Sequence, residues 1–278
     1  MSLAVTSRAL TRQEQPAKSA LSLDNVSLSY RQGDRTVEAL QDISLDISAG
    51  KFVAIVGPSG CGKSTLLHLM SGIIAPTRGH VYCGGAPVNG LMVGTGYMFQ
   101  SDGLLPWKTV SDNIALPLRL QKRAPAEIRD RVDDWLRRTG LTRFASAYPS
   151  QLSGGMRKRA ALAQALVSHP DVVLMDEPLS ALDVQTRSLI GNELMTLWSK
   201  VGNTMVLVTH DLEEAIGMAD EVVVLSSRPA RVKAVYPIDL PRPRDLSEIR
   251  VTESYQRLYA AIWRDLREEV LRAHVEQN

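Results

Sequence analysis

Apolar residues change rhythm along this 278-residue chain. Leu21, Leu23, Val26, Leu28 and Tyr30 nearly alternate with polar positions, and Ile43, Leu45 and Ile47 do so again. Period two with a polar opposite face predicts antiparallel strands near an edge. Residues 31–35 between them contain Gly33-Asp34, a hairpin-turn signal. The apolar runs then become short and continuous, at Phe52–Val56, 172–175, 205–208 and 222–225. Such runs suit strands buried on both faces of a parallel sheet. Helical patterns separate them, as parallel crossovers require. One covers residues 63–72, and another carries Ile190, Leu194, Leu197, Trp198 and Val201 on a single stripe.

Residues 101–167 read as mostly helical, with little strand. Pro125 opens a helix with Ile128, Val132, Trp135 and Leu136 on one face, and Gly140 closes it. This predicts a helical subdomain inserted into an α/β core. Residues 1–20 are polar and expected to be loose. The core domain is expected to span 21–235. Residues 236–278 read as a linker, extended over 237–243, followed by a helix with Tyr255, Leu258, Tyr259, Ile262, Leu266 and Val270 on its apolar face. That face is expected to pack on the chain's own core. No internal repeat interrupts this order.

Composition narrows the classes. Hydrophobic residues make up 44% and charged residues 22%, an ordinary globular balance. A net charge of +2 without a long basic run gives little attraction for nucleic acid. Two cysteines, Cys61 and Cys83, fit a reducing compartment. The first twenty residues hold no apolar stretch of signal-peptide length, and no run of about 18 apolar residues occurs to span a bilayer. Action at a membrane would need a partner.

Three motifs carry chemistry. Gly57-Pro58-Ser59-Gly60-Cys61-Gly62-Lys63-Ser64-Thr65 follows a buried strand and opens a helix. Its glycines let backbone N–H groups turn inward around phosphate oxygens. Lys63 would reach the β- and γ-phosphates, and the Ser64 hydroxyl would bind Mg²⁺. Asp176 and Glu177 end an apolar run at the edge where parallel sheets hold ligands. Asp176 is placed to hold Mg²⁺, and Glu177 to polarise an attacking water. Ser153-Gly154-Gly155 could form a second anion nest at a helix start.

In this order the motifs resemble the ATP-binding subunits of ABC transporters, over residues 21 to 228. The resemblance implies a P-loop ABC cassette with an antiparallel β region, a parallel-sheet core and a helical subdomain. It also implies further roles. Tyr30 would stack on adenine. Gln100 would touch Mg²⁺ and the attacking water. Ser180 to Asp183 would form the D-loop, and His210 would contact the γ-phosphate. The resemblance further implies a head-to-tail homodimer, with each ATP between the phosphate loop of one chain and the Ser153 motif of the other. Two positions depart from the family pattern: Met156 stands where Gln is common, and Gln164 where many members have Arg.

The segment Leu104-Leu105-Pro106-Trp107 is apolar and lies beside the Gln100 position, suited to receive a partner's helix. With the Met156 variant and the tail from Arg228, it looks like the nitrate/sulfonate/taurine importer branch. That implies a permease partner, indirectly a solute-binding protein, and a place on the cytoplasmic face of the cell membrane. ATP and Mg²⁺ are the implied ligands. The alternative is an ABC ATPase acting on nucleic acid or the ribosome. The chain lacks the long coiled-coil insertion, zinc-hook cysteines and tandem cassette of that class. An exporter is disfavoured by the importer-like segments.

Overall fold

The structure is a computed structural model that describes residues 19–33, 35–92, 94–180 and 182–276. Most of the segment read as loose, residues 1–18, lies outside the described residues, as does Asp34 of the hairpin turn.

The first alternating runs become β1 (Ser19–Gln32) and β2 (Arg35–Ser48), an antiparallel hairpin with register shifts along it. β3 (Phe52–Val56) enters the core and leads into α1 (Lys63–Met70). β4 (Arg78–Cys83) and the two-residue β5 (Ala86–Pro87) return to the hairpin, completing a four-stranded sheet in the order β2-β1-β4-β5. The antiparallel strands thus form a sheet of their own, tied to the larger one by a bridge between Leu40 and Ala230.

β6 (Thr95–Met98) begins the route into the helical subdomain: α2 (Val110–Leu120), α3 (Pro125–Arg138) and α4 (Gly154–Leu166). Among the described residues no strand interrupts that stretch. Thr109 and Ser153 cap α2 and α4 by accepting bonds from the N–H groups of Asp112 and Met156. The chain then returns through β7 (Val172–Asp176), α5 (Val184–Val201), β8 (Thr204–Val208), α6 (Leu212–Met218), β9 (Glu221–Leu225), β10 (Val232–Pro237) and α7 (Glu253–Glu276).

The larger sheet runs β10-β9-β3-β8-β7-β6, parallel except for β10. Every residue of β3, β7 and β8 is buried. Alternate residues of β3 feed opposite cores. Phe52, Ala54 and Val56 face the helical side, and Val53 and Ile55 face α1 and the antiparallel sheet. Two packed faces explain why these strands lack the alternation of β1.

The tail corrects one expectation. Residues 237–243 are extended, but they are not a free linker. Pro237 ends β10, and Ile238 and Leu240 are buried in the helical-side core. Leu246 fills a notch where α5 and α6 carry glycine. A Cβ on Gly191 or Gly217 would come within 2.4 or 2.3 Å of its methyl carbons. Arg242 stacks 4.4 Å from the Trp198 ring centroid and pairs with Asp220 at 2.8 Å. Tyr255, Ile262 and Leu266 of α7 are buried in the same core, as the apolar face of that helix requires.

Arg244 is the fastener of this tail. It is buried, and burial, helped by the nearby Arg242 charge, pulls its guanidinium down to about 10. It donates to the carbonyls of Ala219 (2.6 Å) and Ile216 (3.3 Å) at the end of α6 and to those of Ile238 (3.1 Å) and Leu240 (2.9 Å) in the tail. The Ile216 and Ala219 carbonyls would otherwise be orphaned at a helix C-terminus. Arg244→Met is expected to cost about 3 kcal/mol, since each unpaired buried acceptor costs on the order of 1 kcal/mol or more. Urea unfolding measures this; an unchanged midpoint would show that the tail is held by its apolar contacts alone.

Candidate functional site

The register of the large sheet brings the motif residues to one edge. Val208 pairs with both Ile55 and Asp176, Met98 with Met175, and Val224 with Val56. The C-terminal ends of β9, β3, β8, β7 and β6 therefore lie level, with neighbouring strands about 4.8 Å apart. Each end emits a loop. Those loops carry Arg228, the 57–62 turn, His210, the Asp176-Glu177 pair and Gln100 respectively.

They surround an open cavity of ≈ 500 Å³. Ser59, Gly60, Gly62, Lys63, Ser64 and Thr65 line it together with Gln100, Glu177, His210 and Arg228. Gly60 (φ 74°) and Gly62 (φ 118°) occupy left-handed backbone that the turn requires and other residues resist. Lys63, 6% exposed, reaches back from α1 and donates to the carbonyls of Gly57 and Pro58, both at 2.9 Å. Its ammonium thus lies against the loop. Gly57, Pro58 and Cys61 do not line this cavity; Pro58 and Cys61 line a smaller one beside the turn, with the Cys61 side chain buried.

Opposite the loop, Ser64 Oγ donates to Asp176 Oδ1 at 3.0 Å. Burial pushes the Asp176 carboxyl up, the Ser64 bond opposes this and the adjacent Glu177 charge adds to it. Glu177 sits at φ 44°, a strained setting for a residue with a Cβ. Its N–H donates to the Val208 carbonyl and its own carbonyl accepts from Ser180, which fixes the turn. The side chain meets Gln100 Nε2 at 3.4 Å and His210 Nδ1 at 3.1 Å. A carboxylate, an amide and an imidazole thus converge at the cavity that the glycine-rich turn also lines.

Two groups of expected site residues stand apart. Ser153, Gly154 and Gly155 do not line the cavity, and neither does Tyr30, which is exposed on β1. The Ser153 side chain caps its own helix. Met156 packs partly against the helical-side core, and Gln164 donates to the Asn113 carbonyl of α2 at 3.1 Å, so an amide serves where an ion pair was in question. Ala181 of the 180–183 turn lies outside the described residues. Trp107 is largely exposed while Leu104 packs against the core.

The structure adds residues that local pattern did not single out. Lys158 of α4 is buried, donating to the Gln100 carbonyl at 3.0 Å and pairing with Asp102 at 2.8 Å. Arg157 grips the same Asp102 at 3.0 Å. The helix behind the Ser153 motif is therefore tied to the Gln100 loop. On the other side, Arg187 of α5 bonds the Leu182 carbonyl at 3.0 Å and pairs with Asp211 at 2.5 Å, linking the 180–183 turn to the residue after His210. A basic residue just beyond a parallel strand was the available signal for Arg228. The ties made by Lys158 and Arg187 are long-range and leave no local signature.

Comparison with known proteins identifies this assembly. The sequence profile of the family described as "ABC transporter" matches residues 40–180. The chain belongs to that family. The cassette is 37% identical to the taurine import ATP-binding protein of Ruegeria pomeroyi, covering 91% of this chain and 97% of that one. It is 37% identical to the aliphatic sulfonates import ATP-binding protein of Bacillus cereus, over 86% and 92%. A dimeric ATP-binding cassette solved in a post-hydrolysis state with ADP and Pi matches with TM-score 0.71 and 34% identity, over 80% of this chain and 100% of that one. The fold is the P-loop ABC cassette that the motifs implied. No helix among the described residues is long and apolar enough to cross a membrane.

Glu214 gives the ABC cassette a pH signature. It is buried on α6, accepting from Thr209 Oγ1 at 2.7 Å, with Arg187 at 3.5 Å and the Asp211 and His210 groups nearby. Burial lifts its carboxyl to about 7, the Thr209 bond opposing and Asp211 adding to the rise. The folded state thus holds this proton more tightly than the unfolded chain. Stability from it is full below the ordinary carboxylate range and is lost as pH rises through about 7. Glu214→Gln should gain on the wild type by on the order of 2 kcal/mol between pH 5 and pH 8. Urea midpoints at both values decide it; parallel pH profiles would contradict the assignment.

Proposed function

We propose that this chain is the ATP-hydrolysing subunit of an importer for small anions of the sulfonate and taurine class. It would work as a homodimer attached through permease subunits to the cytoplasmic face of a membrane, coupled only indirectly to a solute-binding protein that delivers cargo to the permease. The observation that carries this reading is the convergence of five strand ends on one cavity, in a chain whose relatives include import ATP-binding proteins for taurine and aliphatic sulfonates. The exposed Trp107 beside the Gln100 loop suits a permease helix.

Glu177 is the base that orients and polarises water for attack on the γ-phosphate, held in place by Gln100 and His210. Lys63 neutralises the β- and γ-phosphate oxygens, and the 57–62 turn supplies N–H donors. His210 steadies the transferring phosphoryl group. The 3.0 Å pairing of Ser64 Oγ with Asp176 Oδ1, with Gln100 lining the same cavity as Ser64, offers oxygen donors of the kind that suit Mg²⁺. Ser64, Asp176 and Gln100 would hold that ion, which when bound neutralises phosphate charge. Tyr30 would stack on adenine at the rim.

Ser153, Gly154 and Gly155 face the ATP of the second chain, which accounts for a capped helix start that does not line its own chain's cavity. ATP then favours the closed dimer by as much as it binds that state more tightly. Closure would carry α4 toward the other chain. Through Lys158 and Asp102 it would shift Gln100 and the permease contact.

Glu177→Gln is expected to keep ATP binding and lower turnover about a hundredfold or more. With ATP and Mg²⁺ it should elute as a stable dimer in gel filtration. A variant that stays monomeric and hydrolyses at the wild-type rate would overturn the assignment.

A further inference from the structure

We infer that Arg228 is a further nucleotide-binding residue of this cassette, its guanidinium taking a phosphate oxygen of ATP, and that the C-terminal helix α7 sets its position through Glu269. The inference rests on the reading of the cavity as an ATP site.

Arg228 leaves the end of β9 as His210 leaves β8 and Glu177 leaves β7. It lines the same cavity as Lys63, Gln100, Glu177 and His210. On its other side it shares a smaller cavity of ≈ 280 Å³ with Pro58, Ser59, Gly60 and Cys61 of the phosphate loop and Ala273 of α7. The side chain is exposed and, among the described residues, has no carboxylate partner. A guanidinium beside a phosphate-cradling turn offers a planar pair of donors matched to phosphate oxygens.

The loop that presents it is fixed from three directions. Ser226 exchanges bonds with Arg231 across its base, at 3.0 Å through the backbone and 2.9 Å through Ser226 Oγ. Ala230 bonds Ala39 at 3.0 Å and Gln41 at 2.9 Å in β2. The third anchor is the Ser227 N–H, which donates to Glu269 Oε2 at 2.9 Å. Glu269 is 1% exposed, and its other oxygen accepts from Lys233 at 2.9 Å and Arg272 at 3.2 Å. A buried carboxylate is costly unless its partners are satisfied. Here one of those partners is the backbone immediately before Arg228. Ala273, one turn beyond Glu269, reaches the phosphate-loop side of the same loop. α7 therefore braces the Arg228 loop from behind, and whatever shifts α7 shifts a cation at the nucleotide.

Equilibrium titration of the full chain with MgATP tests both parts. Arg228→Ala should weaken binding about five- to tenfold, with Arg228→Lys intermediate. Glu269→Gln should weaken it severalfold in the wild-type background and have no further effect when combined with Arg228→Ala. A general loss of packing would lower binding equally in both backgrounds, and that result overturns the role given to Glu269. The exposed Arg228 variants leave the core untouched and keep the test open if Glu269→Gln folds poorly. Wild-type ATP binding that Arg228→Ala leaves unchanged overturns this inference alone. A wild-type chain that binds no ATP overturns the site assignment with it.

Discussion

Everything at the site depends on the backbone ladder that joins β3, β8 and β7 in register. Ile55 and Asp176 both pair with Val208. That registration levels the phosphate loop, His210 and Glu177 along one sheet edge. A slip of one residue in any of these strands would exchange its two buried faces and displace its terminal loop by about 3.3 Å. Such a slip is opposed by the two cores, because alternate β3 residues are committed to opposite sides. The geometry of the candidate site is thus a consequence of core packing. No separate device is needed to bring residues 63, 100, 177 and 210 together.

The helical side adds mechanical links to this fixed edge. α4 reaches the Gln100 loop through Lys158 and Asp102, and α5 reaches the His210 loop through Arg187 and Asp211. The first joins the helix behind the Ser153 motif, expected to face another chain, to the Gln100 loop, and the second joins the 180–183 turn to the His210 loop. The strained backbone at Glu177 is held by the same strands. Movement at the periphery can then reposition the groups around Glu177 while the sheet stays still. α7 and Glu269 form a third link, from the far side of the phosphate loop.

The doubly buried strands were legible because burial on both faces leaves an unmistakable apolar run. So were the phosphate loop and the acidic strand end, whose spacing is imposed by a strand–loop–helix unit. The tail's helix was legible from its apolar face, but the segment before it was not. Pro241, Arg242, Pro243 and Arg244 have the composition of an exposed linker, yet Arg244 is buried because α6 ends in carbonyls that need a donor. β10 was missed because its residues are mostly half-exposed and follow no strong period. Glu214, Glu269 and Arg187 carry no local pattern, since their partners lie on other elements. The family resemblance supplied roles for Tyr30 and Ser153 that this single chain does not bring to the cavity.

That separation is the central claim: the cassette is half of each site, and its Ser153 helix start completes the site of a second copy. The most direct measurement counts ATP retained by defined mixed dimers. One carries Lys63→Ala on one chain and Ser153→Ala on the other. The comparison dimer carries both substitutions on one chain beside a wild-type partner. The account predicts that the first retains about one ATP per dimer, because both lesions fall in the same composite site. The second should lose both sites. The reverse pattern, with one ATP kept by the second dimer and none by the first, would mean that each chain builds its own site.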